Sequence, residues 1–229
     1  LTGRGVIFDL DDTLYARAHF VQSGFAAVAR HVEARWGVSS VPAFLTLCRA
    51  SLAGRRGQEF QALCDSMPVP HAAVPELVEV VRSHVPALML PDESRAVLLH
   101  LRSEGWRVGI LTNGDPAVQA RKVEALGLAP LVDAVLYAAE HADGGKPAAG
   151  AFTAALAALG TPAGRTACVG DDLRCDVYGA RAAGLRTIRV CGPGAVPPIS
   201  DDADDVVERM AEVPGALARL LPERMSHAA

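Results

Sequence analysis

Five short apolar, β-branched runs mark out the chain: GVIFDL ending at Leu10, RVGILT ending at Thr112, AVLY ending at Tyr137, TACV ending at Val169 and RTIRV ending at Val190, with helix-like stretches between them. Runs this apolar must be covered on both faces, and strands joined through helices run parallel. The pattern predicts an α/β fold, a doubly wound and mainly parallel sheet. DVV ending at Val207 can add a sixth strand before a final helix. Turn chemistry agrees: Asp92 follows Pro91 as an N-cap before ESRAVLLHLRSEG, which ends at Gly105, and VEALG ends in the same way at Gly127.

About a hundred residues separate the first run from the second, where a crossover needs roughly a dozen. The excess has helical periodicity in Phe20, Phe25, Val28, Val32, Phe44, Leu45, Leu47, Leu63, Leu77, Val78 and Val81, broken by Gly37, Gly54, Gly57, Pro68 and Pro70. This predicts a helical subdomain of three or four helices over 16–88, inserted into a core made of 1–15 and 89–229. A chain of 229 residues is roughly 1.5 domains long by the usual rule, which suits one domain carrying an insertion.

Charge and composition remove several classes of function. A net charge of −4 gives no basic surplus to neutralise a nucleic-acid backbone. No apolar stretch approaches the ~20 residues of a membrane helix, and GVIFDL meets Asp9 too soon to be a signal-peptide core, so a cytoplasmic protein is expected. Leu1 in place of Met points to residues missing or removed at the start. The five cysteines, Cys48, Cys64, Cys168, Cys175 and Cys191, form no C-x-x-C pair and are expected as small, reduced core residues. GPGAVPPIS, from Gly192 to Ser200, reads as a loop.

Four polar clusters fall at the ends of consecutive strands. Asp9-Leu10-Asp11-Asp12-Thr13 ends the first. Alternation puts Asp9 and Asp11 on one face with Cα atoms ~6.6 Å apart, so one could attack while the other handles protons; a solvated acidic turn has the same spelling. Thr112-Asn113-Gly114 ends the second and offers a hydroxyl, an amide and permissive backbone to a phosphate oxygen, or is an ordinary turn. Gly145-Lys146-Pro147 opens a helix pattern. Only two of the 22 basic residues are lysine, so Lys146 reads as a compact point charge or as a chance exposed lysine. Lys122, in VQARKVEALG, reads as solvated. Gly170-Asp171-Asp172-Leu173-Arg174-Cys175-Asp176 ends the fourth strand; its hard oxygens suit magnesium, with helix capping an alternative role for Asp172.

Taken together these motifs resemble the haloacid dehalogenase superfamily of aspartate-nucleophile hydrolases: D-x-D-x-T at Asp9 to Thr13, the hydroxyl at Thr112, the lysine at Lys146 and G-D-x-x-x-x-D at Gly170 to Asp176. The likeness covers Gly5 to about Leu221, and the inserted helices match the family's cap in position and character alone. It implies a Rossmann-like core of strand order 5-4-1-2-3. It also implies Mg2+-dependent hydrolysis of a small phosphorylated metabolite. Asp9 would be the nucleophile, Asp11 the acid and base, and Thr13 a loop support. Lys146, Thr112 and Asn113 would contact the phosphate. The metal would lie on Asp9, the Asp11 carbonyl and Asp171, with Asp172 and Asp176 behind. Dehalogenases of the superfamily carry D-x-Y-G-T, whereas this chain has Asp11 and Asp12 in place of Tyr and Gly. One departure is Asp143, where many relatives have glycine before the motif lysine. A phosphomutase shares every core motif, and a non-catalytic binding module shares the fold. Substrate selection is expected from the cap, closing over the site, through Arg17, His19, Arg49, Arg55 and Arg56, each of which also suits a solvated helix face. The sequence carries no sign of the oligomeric state.

Overall fold

The computed structural model describes residues 3–55, 57–140, 144–192 and 202–223; Leu1, Arg56, Asp143 and residues 193–200 of the expected loop lie outside them. The chain divides into two compact units, 1–16 with 89–229 and 17–88. In chain order the elements are β1 (Gly5–Phe8), α1 (Arg17–Trp36), α2 (Ser40–Leu52), α3 (Glu59–Ser66), α4 (Val74–Ser83), α5 (Asp92–Ser103), β2 (Arg107–Thr112), α6 (Pro116–Ala125), β3 (Ala134–Tyr137), α7 (Ala149–Leu159) and β4 (Thr166–Gly170). A π-helical turn (Leu173–Tyr178) then runs into α8 (Gly179–Ala182), followed by β5 (Arg186–Val190), β6 (Asp205–Val207) and α9 (Val213–Leu220).

Among the described residues six strands form one parallel sheet in the order β3-β2-β1-β4-β5-β6. This is the expected order read from its other edge, with β6 added beside β5. The chain steps outward from β1 to β2 and β3, then returns to the other side of β1 to lay down β4. The switch point is therefore between β1 and β4, and a crevice opens there beyond the carboxyl ends of the strands. Both strands are buried along their whole length. On one face, Ile7, Leu111 and Cys168 pack against Phe152, Ala155 and Leu159 of α7.

Some boundaries differ from the expectation. β1 stops at Phe8, two residues before Leu10, because the chain turns: Asp12 N–H donates to the Tyr15 carbonyl, Leu14 N–H to the Leu10 carbonyl, and Asp11 bridges to Tyr15. Asp92 is the first helical residue and makes no cap; Pro91 holds that position without a side-chain bond. Asp115 does cap α6, accepting from Ala117 and Val118 N–H at 3.0 and 3.3 Å ahead of Pro116. Of the cysteines, all free, Cys64 and Cys168 are buried and the other three half-buried. The helical unit closes its own core around Phe25, Val28, Val32, Leu47, Leu63 and Leu77. Leu45 and Val78 are exposed; Leu45 stands two residues from both Ala43 and Leu47, on the opposite side of α2 from that buried stripe. Among the described residues, no helix is long and apolar enough to cross a membrane.

Candidate active site

Asp9 is the first residue past β1, and its N–H still reaches the Val169 carbonyl of β4 at 2.9 Å, so the sheet ladder fixes its position at the switch point. Lys146 Nζ lies 2.6 Å from Asp9 Oδ1 and 2.7 Å from Asp176 Oδ1. All three side chains are buried. The lysine precedes α7 and is held through its backbone: Asn113 Nδ2 donates to the Lys146 carbonyl and Lys146 N–H donates to Asn113 Oδ1, each at 2.9 Å. The Asn113 carboxamide thus behaves as a short piece of strand, tying the end of β2 to the lysine. Its side chain, expected on phosphate, is engaged in that clamp.

Asp176 reaches the cluster by way of the π-helical turn. Asp172 caps the turn, its carboxylate accepting from Cys175 N–H at 2.6 Å, and Asp176 Oδ2 accepts from Asp172 N–H at 3.1 Å. Within 170–176 the residue grouped with Asp9 and Asp171 is accordingly Asp176, and Asp172 faces the turn. Gly170 is what makes the fit, because a Cβ there would overlap the Asp176 carboxylate. Gly170→Ala is expected to push Asp176 off Lys146, lowering folding stability by ~1–3 kcal/mol of overpacking and turnover by about 10²-fold through misplacement. Gly164→Ala is the control, since nothing stands within 4 Å of its Cβ position. Equal melting curves and rates for the two variants would remove the packing argument.

Oxygens of Asp9, Asp171 and Asp176 lie within 4.8 Å of one another, and Thr13 Oγ1 leans on Asp171 Oδ1 at 3.5 Å. Three carboxylates beside one ammonium leave a surplus of negative charge. Burial, with the Asp176 charge, pushes the Asp9 carboxyl up to about 7 despite Lys146. Burial and the carboxylates of Asp176 and Asp12 push Asp171 up to about 6. Burial works against the Lys146 ammonium, yet Asp9 and Asp176 prevail and hold its proton more firmly than usual. An all-carboxylate donor set, crowded enough to retain protons, fits a small hard dication such as Mg2+.

Asp11 faces a different cation. Lys122 Nζ touches both of its oxygens, at 2.8 and 2.7 Å, Tyr15 Oη donates to Oδ1 at 2.6 Å and Gln119 Nε2 to Oδ2 at 3.0 Å. Lys122, expected in solvent, is buried. Burial opposes ionisation of Asp11, but Lys122, helped by Tyr15 and Gln119, holds its carboxyl below the usual range. The common face expected for Asp9 and Asp11 gives way to a turn in which each carboxylate has its own lysine. Asp12 makes the turn with φ 62°, a left-handed backbone that Asp tolerates better than most residues. Thr112 is buried, and its hydroxyl accepts from Gln119 Nε2 at 2.5 Å.

Residues 4–184 match the family model described as haloacid dehalogenase-like hydrolase. The chain is 30% identical over 198 residues to ribulose-1,5-bisphosphate 5-phosphatase of Halopiger xanaduensis, covering 80% of this chain and 82% of that protein. It is 32% identical over 179 residues to phosphoserine phosphatase of Thermus thermophilus, covering 78% and 71%. Among solved structures, the magnesium-bound HAD-hydrolase YfnB of Bacillus subtilis superposes with a TM-score of 0.66 at 19% identity, covering 95% of this chain and 99% of that one.

Proposed function

The chain belongs to the haloacid dehalogenase-like hydrolases, and from that membership we propose that it hydrolyses a phosphate monoester of a small metabolite, with Mg2+ as cofactor, through a phosphate carried on Asp9. The observation that carries this reading is the separate housing of the two carboxylates, Asp9 in the acidic cluster with Lys146 and Asp11 on Lys122. One can form a bond to phosphorus while the other moves protons. The names of the phosphatase relatives support the substrate class.

Asp9 attacks phosphorus in line with the ester oxygen; the P–O bond to the leaving group breaks and an aspartyl phosphate forms. Asp11, ionised beside Lys122, takes up the proton that the ester monoanion brings and passes it to the departing alkoxide. Water then attacks the same phosphorus, Asp11 takes its proton back, and the acyl-phosphate bond breaks to release phosphate and restore Asp9. Lys146 faces the phosphoryl oxygens with a fixed charge, and the Thr112 hydroxyl marks the same end of β2. Asp9, Asp171 and Asp176, with the Asp11 carbonyl as a further oxygen, would hold Mg2+, which would supply positive charge against the phosphoryl group. Uncatalysed monoester hydrolysis is slow enough for enzymes to reach accelerations of ~10²¹, so charge, position and proton transfer all contribute.

Asp11 and Asp12 weigh against carbon–halogen cleavage, because a halide leaves without a proton. The 17–88 unit is assigned the choice among leaving groups. The test is a panel of phosphorylated metabolites and haloacids, given to chelator-treated protein with and without Mg2+. Release of phosphate that requires Mg2+, with no halide release, is the expected result. Replacing Arg55 and Arg56 by alanine together is expected to reorder the panel while sparing a small generic ester. Halide release, transfer of phosphate to a second sugar position, or inertness toward every ester overturns the reading.

A further inference from the structure

The chain meets its need for cations with arginine at twenty of 22 positions, and both exceptions are buried against a carboxylate of the Asp9–Thr13 motif. Lys146 is part of the expected machinery and Lys122 is not. Lys122 and Gln119 stand three residues apart on α6, and that spacing places them on one face of the helix. Both are buried, and both point at Asp11. Gln119 Nε2 also donates to Thr112 Oγ1, so one carboxamide links the Asp11 carboxylate to the hydroxyl at the end of β2. The helix is anchored immediately before them by the Asp115 cap.

We propose that Gln119 and Lys122 are positioning residues, a bracket on α6 that fixes the Asp11 carboxylate in place and in register with the Thr112 hydroxyl. Asp11 needs such a bracket. It lies beyond the end of β1, in a turn whose next residue has a left-handed backbone, so the sheet does not set its side-chain torsions. Contacts to both carboxylate oxygens do. The Lys122 ammonium, a compact point charge, reaches both oxygens. A buried bracket also keeps the position independent of salt, unlike a surface pair. Neither side chain touches substrate in this account. They act through Asp11, and the inference rests on the proposed phosphatase reading.

A kinetic double-mutant cycle tests it, with p-nitrophenyl phosphate and an alkyl phosphate as probes in saturating Mg2+. Lys122→Met is expected to lower kcat by about 10²-fold, as a misplaced acid and base does, with KM little changed. The loss should be greater on the alkyl ester, whose leaving group needs the proton more. In an Asp11→Asn background, Lys122→Met should lower kcat no further, because the group it positions is already gone. A merely structural lysine would give the same fractional loss in both backgrounds. Should Lys122→Met fail to fold, Gln119→Leu, which leaves the ion pair in place, carries the same cycle with an expected loss of roughly tenfold. Parent-like kcat in a folded variant, or losses that multiply with Asp11→Asn, overturns the bracket and leaves the phosphatase reading standing. A parent protein that hydrolyses no ester overturns both.

Discussion

Asp9→Asn is expected to lose turnover altogether, by roughly 10⁴-fold or more, because a carboxamide of the same shape has no charged oxygen to bond to phosphorus. Folding should survive, since Lys146 keeps Asp176 at 2.7 Å. Asp11→Asn is expected to behave differently. The first half-reaction can proceed with an activated ester, but water then meets the aspartyl phosphate without a base, at a loss of about 10²–10⁴-fold. Intact-mass spectrometry after brief exposure to p-nitrophenyl phosphate should find one added phosphoryl group in Asp11→Asn and none in Asp9→Asn. Normal turnover by Asp9→Asn would remove it as the nucleophile.

Binding of Mg2+ to chelator-treated protein is expected to raise its thermal midpoint, and by more at pH 8 than at pH 5.5. Asp9 and Asp171 have folded pKa values of about 7 and about 6 against an ordinary 3.8. Between 3.8 and those values the folded metal-free chain binds more protons than the unfolded one, so this part of its stability is present at low pH and lost as pH rises through 6 to 7. Protons and metal compete for the same oxygens. At pH 5.5 the cation must displace them; at pH 8 it meets ionised carboxylates and relieves their repulsion. A hundredfold excess over Kd stabilises by ~2.7 kcal/mol, which at ~2–4 °C per kcal/mol is a rise of about 5–10 °C. Asp171→Ala should abolish the rise and, by removing one of three crowded charges, raise the metal-free midpoint at pH 8. A rise independent of pH, or intact in Asp171→Ala, would sink the metal site.

The parts of this architecture that can be read from sequence are those fixed by local pattern. Strands such as RVGILT and TACV are apolar throughout because a parallel sheet is covered on both sides, and the length between the first two runs declares the inserted helices. The missing parts depend on pairings across the chain. Lys122 sits in an amphipathic helix where a lysine ordinarily faces water; Asp11, far away in sequence, draws it inward. Its rarity was the available signal, the same that singles out Lys146. Asp176 rather than Asp172 joins Asp9 because a π-helical turn, with no sequence signature of its own, aims it inward. Asn113 looks like a phosphate donor, and only the fold brings the backbone of Lys146 to its carboxamide.

The central place of β1 has a consequence during synthesis. Gly5 is registered against Arg107 on one side and Thr166 on the other, so the strand carrying Asp9 leaves the ribosome long before either partner exists. At roughly 5–20 residues per second, the wait is on the order of five to twenty seconds for β2 and ten to thirty for β4, and until β2 arrives the apolar segment has no strand of its own chain to join. Residues 17–88 face no such delay, because their core is drawn from within that stretch. The nascent chain can thus complete its helical insert first, and the aspartate made earliest among the site residues is enclosed only after Asp171 and Asp176 have followed it out.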